Sequence, residues 1–226
     1  DADGSNAMQL TSVGGRTVFG STWSPDSQKI AFYASIGGNT DIYVISANGG
    51  TPRRLTTEPG IDHWPCWSHD GQWLYFSSDR GGTDEIWRMP ASGGKAVQVT
   101  QNANGADLPH ESPDGKFVYY SKGWPFPQSV WRVPAEGGEK TKVLDAVHPY
   151  GLWTVGKEGI YFFTVPDKKR HSDLSIYEFA TGKTRKILTI ERRVATFIAV
   201  SPDGRTILYP QVDEAGSDLM LVENFR

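Results

Sequence analysis

One phrase recurs along this chain every 43 to 46 residues. Its first half is Ser-Pro-Asp, or close to it, ahead of a hydrophobic run. The copies are Ser24-Pro25-Asp26 before Ile30-Ala31-Phe32, Ser68-His69-Asp70-Gly71 before Leu74-Tyr75-Phe76, Ser112-Pro113-Asp114-Gly115 before Phe117-Val118-Tyr119, and Ser201-Pro202-Asp203-Gly204 before Ile207-Leu208-Tyr209. Its second half is a short apolar run starting at Asp41, Glu85, Ser129, Ser175 and Asp218. Those starts lie 44, 44, 46 and 43 residues apart, so each copy is one supersecondary unit of a repeat architecture.

Each copy divides into four strands. The 25 glycines and 14 prolines punctuate short runs rich in Val, Ile, Tyr, Phe and Trp, and no window holds helical periodicity over three turns. Strand a precedes the Ser-Pro-Asp, as at residues 19–23 and 63–67. In the turn that follows, Pro presets one dihedral, Asp bonds the backbone two residues on and Gly supplies a positive φ, which leads into strand b at 30–34 and 74–78. Strand c is the run beginning at Asp41 or its equivalent. A glycine turn (Asn48-Gly49-Gly50, Ser92-Gly93-Gly94, Glu136-Gly137-Gly138, Thr181-Gly182) joins it to strand d, which ends at Leu10-Thr11, Leu55-Thr56, Val99-Thr100, Leu144-Asp145 and Leu188-Thr189.

The first d strand has no a, b or c strand before it, and the c strand at Asp218 has no d strand after it. Leu55 follows Asp41 by 14 residues, so Asp218 asks for a leucine at virtual position 232, and Leu10 supplies it one circuit of 222 residues on. The expectation is an all-β, five-bladed β-propeller of four-stranded antiparallel blades, its last blade closed by the N-terminal strand, which removes two exposed edges. One domain then spans 1–226, with blades at 16–57, 58–101, 102–146, 147–190, and 191–226 plus 7–11. The fourth copy departs from the pattern. Val155-Gly156-Lys157-Glu158-Gly159 stands where Ser-Pro-Asp-Gly is expected, and the b–c loop carries a charged stretch from Pro166 to Asp173, either a solvated loop or a place for a partner contact.

Bulk properties exclude several classes. A net charge of −3 gives no basic field to gather phosphates, so nucleic acid is not expected as a partner. The single cysteine, Cys66, cannot form an intrachain disulfide, and its place in strand a beside Trp67 predicts a buried small hydrophobe. No stretch approaches the length of a membrane helix, so membrane insertion is not expected. The chain opens on Asp1-Ala2-Asp3-Gly4 without a methionine, as a processed or excised segment would.

The Ser-Pro-Asp-Gly, Ile-Tyr or Ile-Trp and Gly-Gly elements resemble the TolB-type β-propeller repeat, the "PD" relative of the WD repeat, over nearly the whole chain. That family's blades occur in periplasmic TolB, in the propellers of prolyl-oligopeptidase-type peptidases, in oligogalacturonate lyases and in sensory modules of bacterial regulators. The resemblance implies a periplasmic or otherwise extracytoplasmic setting. The TolB propeller itself is usually six-bladed, so five blades imply a compact relative or a segment of a larger array.

Motifs for chemistry are few. No Gly-x-Ser-x-Gly nucleophile elbow occurs, and no Cys-His spacing suggests zinc. Gly182-Lys183-Thr184 echoes a phosphate loop but lies in a c–d turn with no helix after it, and Asp1-Ala2-Asp3-Gly4 lacks the rest of a calcium loop. No metal or cofactor is expected.

In a propeller strand a lies innermost, so the d–a connections crowd one mouth of the channel. They contribute Arg16, Asp62, His63, Trp64, Asp107, His110, His148, Tyr150, Arg192 and Arg193, including three of the five histidines. His63 and Asp107 each stand five residues before their Ser, which predicts equivalent places in adjacent blades. Converging imidazoles and carboxylates suit a polar ligand or a metal, but a water-lined channel carries such residues as well.

Trp23, Trp67 and Trp153 repeat at the end of strand a, and Trp87 and Trp131 repeat in strand c, as blade-to-blade packing requires. Trp64 and Trp124 break the period, and Trp124 in its b–c loop is a candidate partner contact. The function expected is a non-catalytic, monomeric module that binds a protein or peptide through the mouth, as the sensory or scaffold part of a larger protein. The alternatives are a metal-assisted oligogalacturonate-type lyase and the gating propeller of a peptidase.

Overall fold

A computed structural model describes residues 7–11, 18–101, 105–123, 128–148, 151–213 and 216–223. Its regular structure among them is entirely β, in five four-stranded antiparallel sheets, the blades of a five-bladed β-propeller fold. The first sheet runs in order β1 (Val18–Trp23), β2 (Lys29–Ile36), β3 (Asn39–Ser46) and β4 (Arg53–Arg54), and the second β5 (Asp62–Trp67), β6 (Trp73–Ser78), β7 (Glu85–Pro90) and β8 (Val97–Gln98). The third holds β9 (Asp107–Glu111), β10 (Phe117–Lys122), β11 (Gln128–Pro134) and β12 (Thr141–Val147), and the fourth β13 (Trp153–Val155), β14 (Gly159–Phe163), β15 (Ser172–Glu178) and β16 (Lys183–Ile190). The chain divides into two compact units, Asp1–Pro109 and His110–Arg226. No helix among the described residues is long and apolar enough to cross a membrane.

The fifth sheet is built differently. Its innermost run is broken into β17 (Arg193–Val194) and β18 (Ala199–Val200), both paired to β19 (Thr206–Asp213), and β20 (Gly216–Glu223) pairs with the other side of β19. Its four strands therefore represent a, b and c. Residues 7–11 carry no strand assignment. Leu10 nevertheless packs against Ile30, Phe32, Ala34, Tyr43 and Ile45 of the first sheet, while Leu55 packs with Trp67, Leu74, Phe76 and Met89 of the second. Ile30, Phe32 and Ile45 are the counterparts, one period earlier, of Leu74, Phe76 and Met89, so Leu10 occupies the place of a d-strand leucine.

The repeated phrase is a hydrogen-bonded knot. Ser24 Oγ donates to Asp26 Oδ1 at 2.6 Å, Asp26 accepts from Gln28 N at 3.0 Å, and Lys29 N donates back to Ser24 Oγ at 2.9 Å. Ser68–Asp70, Ser112–Asp114 and Ser201–Asp203 repeat the 2.6 Å bond. The residue after Asp is left-handed in all four: Gly71, Gly115 and Gly204 at φ near 70°, and Ser27 at 57°. At the other end of the blade Thr56 Oγ1 accepts from Ile42 N at 3.0 Å and donates to the buried Asp41 carboxylate, which also holds Arg54 at 2.6 Å. Thr100 and Glu85 do the same in the second blade. The Leu-Thr signature thus supplies one apolar anchor and one hydroxyl that fastens strand d to strand c.

In the second and fourth sheets strand b is buried on both faces. All of β14, and β6 from Leu74 to Ser78, are buried. Burial of a Leu- or Phe-sized side chain contributes about 1.5–3 kcal/mol. Two expectations change. Trp67 and Trp153 are 7% and 1% exposed, but Trp23 is 57% exposed. Trp67 Nε1 donates to Thr22 O of the first sheet at 3.2 Å, whereas among the described residues of its unit no sheet precedes Trp23 to play that part. Cys66 is half-buried rather than buried.

Candidate functional site

The site in the first unit grows from a bulge that the period hides. The β1–β2 register slips between Phe19 and Thr22, and the β5–β6 register slips between His63 and Cys66. In these slips Gly20 (φ 54°), Trp64 (φ 52°) and, one repeat on, Leu108 (φ 55°) are left-handed. A tryptophan and a leucine hold a conformation that costs an L-residue about 1–2 kcal/mol. Bulges re-aim the side chains around them, and here the residue ahead of each slip is Phe19 or His63, while Asp107 stands ahead of the left-handed Leu108. Gly20 has no substitute, since a Cβ there would stand 2.5 Å from the Tyr33 ring and 3.1 Å from the Trp64 ring.

Three elements and one loop meet around His63. Its Nε2 lies 3.1 Å from Asp84 Oδ1, in the b–c loop, and 3.9 Å from Asp107 Oδ1 at the start of β9, so the equivalence expected for His63 and Asp107 places them side by side. Tyr33 presents an edge to His63 (6.1 Å) and to Trp64 (5.3 Å) and stacks on Phe19 at 5.6 Å. Phe19 is 51% exposed and the Asp84 side chain 42%, so both an aromatic face and a carboxylate meet solvent.

The electrostatics of the cluster are mixed. Burial works against the His63 imidazolium, but the Asp84 hydrogen bond and the charges of Asp107, Asp84 and Asp79 outweigh it and raise the group above its ordinary 6.5. Burial raises the Asp107 carboxyl, with the His63 charge opposing. Burial and Asp107 together push Tyr33 up to about 12.

Other expected mouth residues have different roles. Asp62 is fully buried, with Arg80 Nη2 at 2.8 and 2.7 Å from its two oxygens, and Arg80 also donates to Ser78 Oγ and lies over Phe76 and Trp87. This buried ion pair fixes the b–c loop and leaves Asp62 no free oxygen for a ligand. In the second unit His110 meets Trp153 edge-on at 4.7 Å, and burial pushes its imidazole down to about 4, so it packs as a neutral ring. His148 N donates to Phe163 O at 2.7 Å, and Arg193 is exposed at the start of β17. Arg16, Trp124 and Tyr150 lie outside the described residues.

The cluster gathers His63, Trp64 and Asp107 of the expected set, and adds Phe19, Tyr33, Asp79 and Asp84. The signal for Asp84 was its b–c loop, which shares an end of the sheet with strand a. Phe19 was findable by stepping one period back from His63. Among the described residues no group of three His, Cys, Asp or Glu side chains is arranged to hold a metal ion.

Comparison with known proteins locates this fold. The profile of the TolB beta propeller domain matches residues 4–145. The Tol-Pal system protein TolB of Anaeromyxobacter dehalogenans is 49% identical over 47 residues, which are 21% of this chain and 11% of that protein. The crystal structure of TolB from Acinetobacter baumannii superposes with a TM-score of 0.76 at 19% identity, covering 92% of this chain and 52% of that one. An oligogalacturonate lyase in complex with manganese superposes at a TM-score of 0.59 and 12% identity, over 88% of this chain and 72% of the other. At those identities the superpositions speak for the fold alone, and the chain spans about half of the solved TolB. The profile match covers well over half of the sequence, and the chain belongs to the TolB β-propeller domain family.

Proposed function

We propose that this chain is a non-catalytic propeller module, extracytoplasmic in setting, that binds a protein or peptide partner at the His63 end of its strands, as the sensory or scaffold part of a larger protein. The observation that carries this is the cluster at His63. The half-exposed Phe19 stacks on Tyr33, Tyr33 meets His63 and Trp64, and His63 meets the half-exposed Asp84 carboxylate, which suits a peptide offering an apolar side chain beside polar groups. Membership of the TolB family and the similarity to a Tol-Pal system protein support a protein partner. The lyase reading finds no three-group ligand set among the described residues.

Panning a random-sequence peptide library against the purified chain tests this. Binders are expected whose capture falls about tenfold or more in His63→Ala and Trp64→Ala. A library that yields none contradicts the proposal. So does turnover of a polysaccharide or peptide ester that is lost on changing His63.

A further inference from the structure

The fourth blade's charged loop is an ordered device. From Thr164 to His171 it joins β14 to β15, where the first two blades use glycine-rich b–c turns. Its one acid is spent internally, since Asp167 Oδ1 accepts from Lys169 N at 2.8 Å and from His171 N at 2.9 Å. Asp167 N donates to His171 O, and Arg170 N to Asp167 O, each at 2.9 Å. Those backbone hydrogen bonds lower the Asp167 carboxyl, so it stays ionised. Arg170 is held left-handed at φ 67°, although it is no glycine.

The loop buries little, and its hydrogen bonds are internal. Residues 165 to 170 are exposed, and Lys168, Lys169 and Arg170 form no ion pair with a described residue. The register Ser172↔Ile190 sets this loop at the same end of the fourth sheet as the connection to β17, which carries Arg192 and the exposed Arg193. Lys168, Lys169, Arg170, Arg192 and Arg193 thus fall at one end of that sheet, beside Glu191 and beside Asp173, which accepts from Thr189 and lies 3.7 Å from Lys186. Val165, 44% exposed, adds an apolar contact at the stem.

We infer that this end of the fourth blade is a docking surface for an acidic peptide segment of a partner protein. A rigid loop binds without the entropy of ordering it, which gives its internal bonds and its strained arginine a use. The chain's net charge of −3 disfavours a long polyanion or an anionic membrane, whereas a short run of carboxylates meets only the local cations. This inference goes beyond the His63 reading and uses residues of the other unit.

Fluorescence anisotropy of labelled hexaglutamate with the 226-residue chain tests it. Saturable binding is expected that weakens as ionic strength rises and falls about tenfold or more in the triple variant Lys168→Glu, Lys169→Glu, Arg170→Glu. Asp167→Ala keeps every cation but releases the loop, and it too should weaken binding. His63→Ala should leave it unchanged, which separates this result from the peptide-capture experiment. Equal binding by the triple variant overturns the inference, and so does tighter binding by Asp167→Ala. Binding to phosphatidylglycerol vesicles or duplex DNA without binding to hexaglutamate also overturns it. Circular dichroism confirms that each variant is folded.

Discussion

His63 and His110 show how neighbours decide what one residue type does. Both precede a Ser-Asp turn in strand a, yet carboxylates hold one above its ordinary range while burial pushes the other to about 4. Histidine ring signals followed by NMR should titrate accordingly, His63 with a midpoint above 6.5 and His110 near 4. Coincident midpoints would remove the cluster from the structure. Because the folded state raises His63, its contribution to stability is present below the unfolded value and is lost as pH rises through the higher folded one. Unfolding followed across that window should therefore show a decline that His63→Gln abolishes. Ser27 offers a second residue-level check. It holds the left-handed position that three other copies give to glycine, so Ser27→Gly should raise the unfolding free energy by about 1 kcal/mol in urea titrations.

At the level of the strand and turn, one hydroxyl joins strands c and d. Thr56→Val would leave Ile42 N without its acceptor and take one of the three donors from the buried Asp41 carboxylate, leaving it Arg54 and Asn39. The expected loss is about 1–3 kcal/mol, measured by urea denaturation, and no loss would show the contact to be idle. Much at this scale was legible beforehand. The Ser-Pro-Asp turns, the glycine turns and the strand order follow from turn chemistry and a fixed period. The bulge was not, because Trp64 and Leu108 take a backbone region that their residue types disfavour, and only Gly20 hinted at it. The exposure of Trp23 was hidden for a different reason. Periodicity equates it with Trp67 but is blind to which sheet lies alongside. Asp62 looked like a mouth ligand since its ion-pair partner, Arg80, stands 18 residues away on another loop.

For the whole molecule, the family follows from the repeat, while the partner rests on the side chains the repeat does not demand. His63, Trp64 and Asp84 have no structural duty shared by every blade, and they converge with Asp107 on one place in the first unit. The charged loop of the fourth blade likewise breaks the pattern, and its backbone is hydrogen-bonded to its own Asp167. The most direct measurement is NMR chemical-shift mapping of the 226-residue chain with a library-selected peptide. The largest shifts are expected at Phe19, His63, Trp64, Asp84 and Asp107, with no change in the peptide itself over time. Shifts confined to other residues, or cleavage of the peptide, would contradict a binding module that works through this cluster.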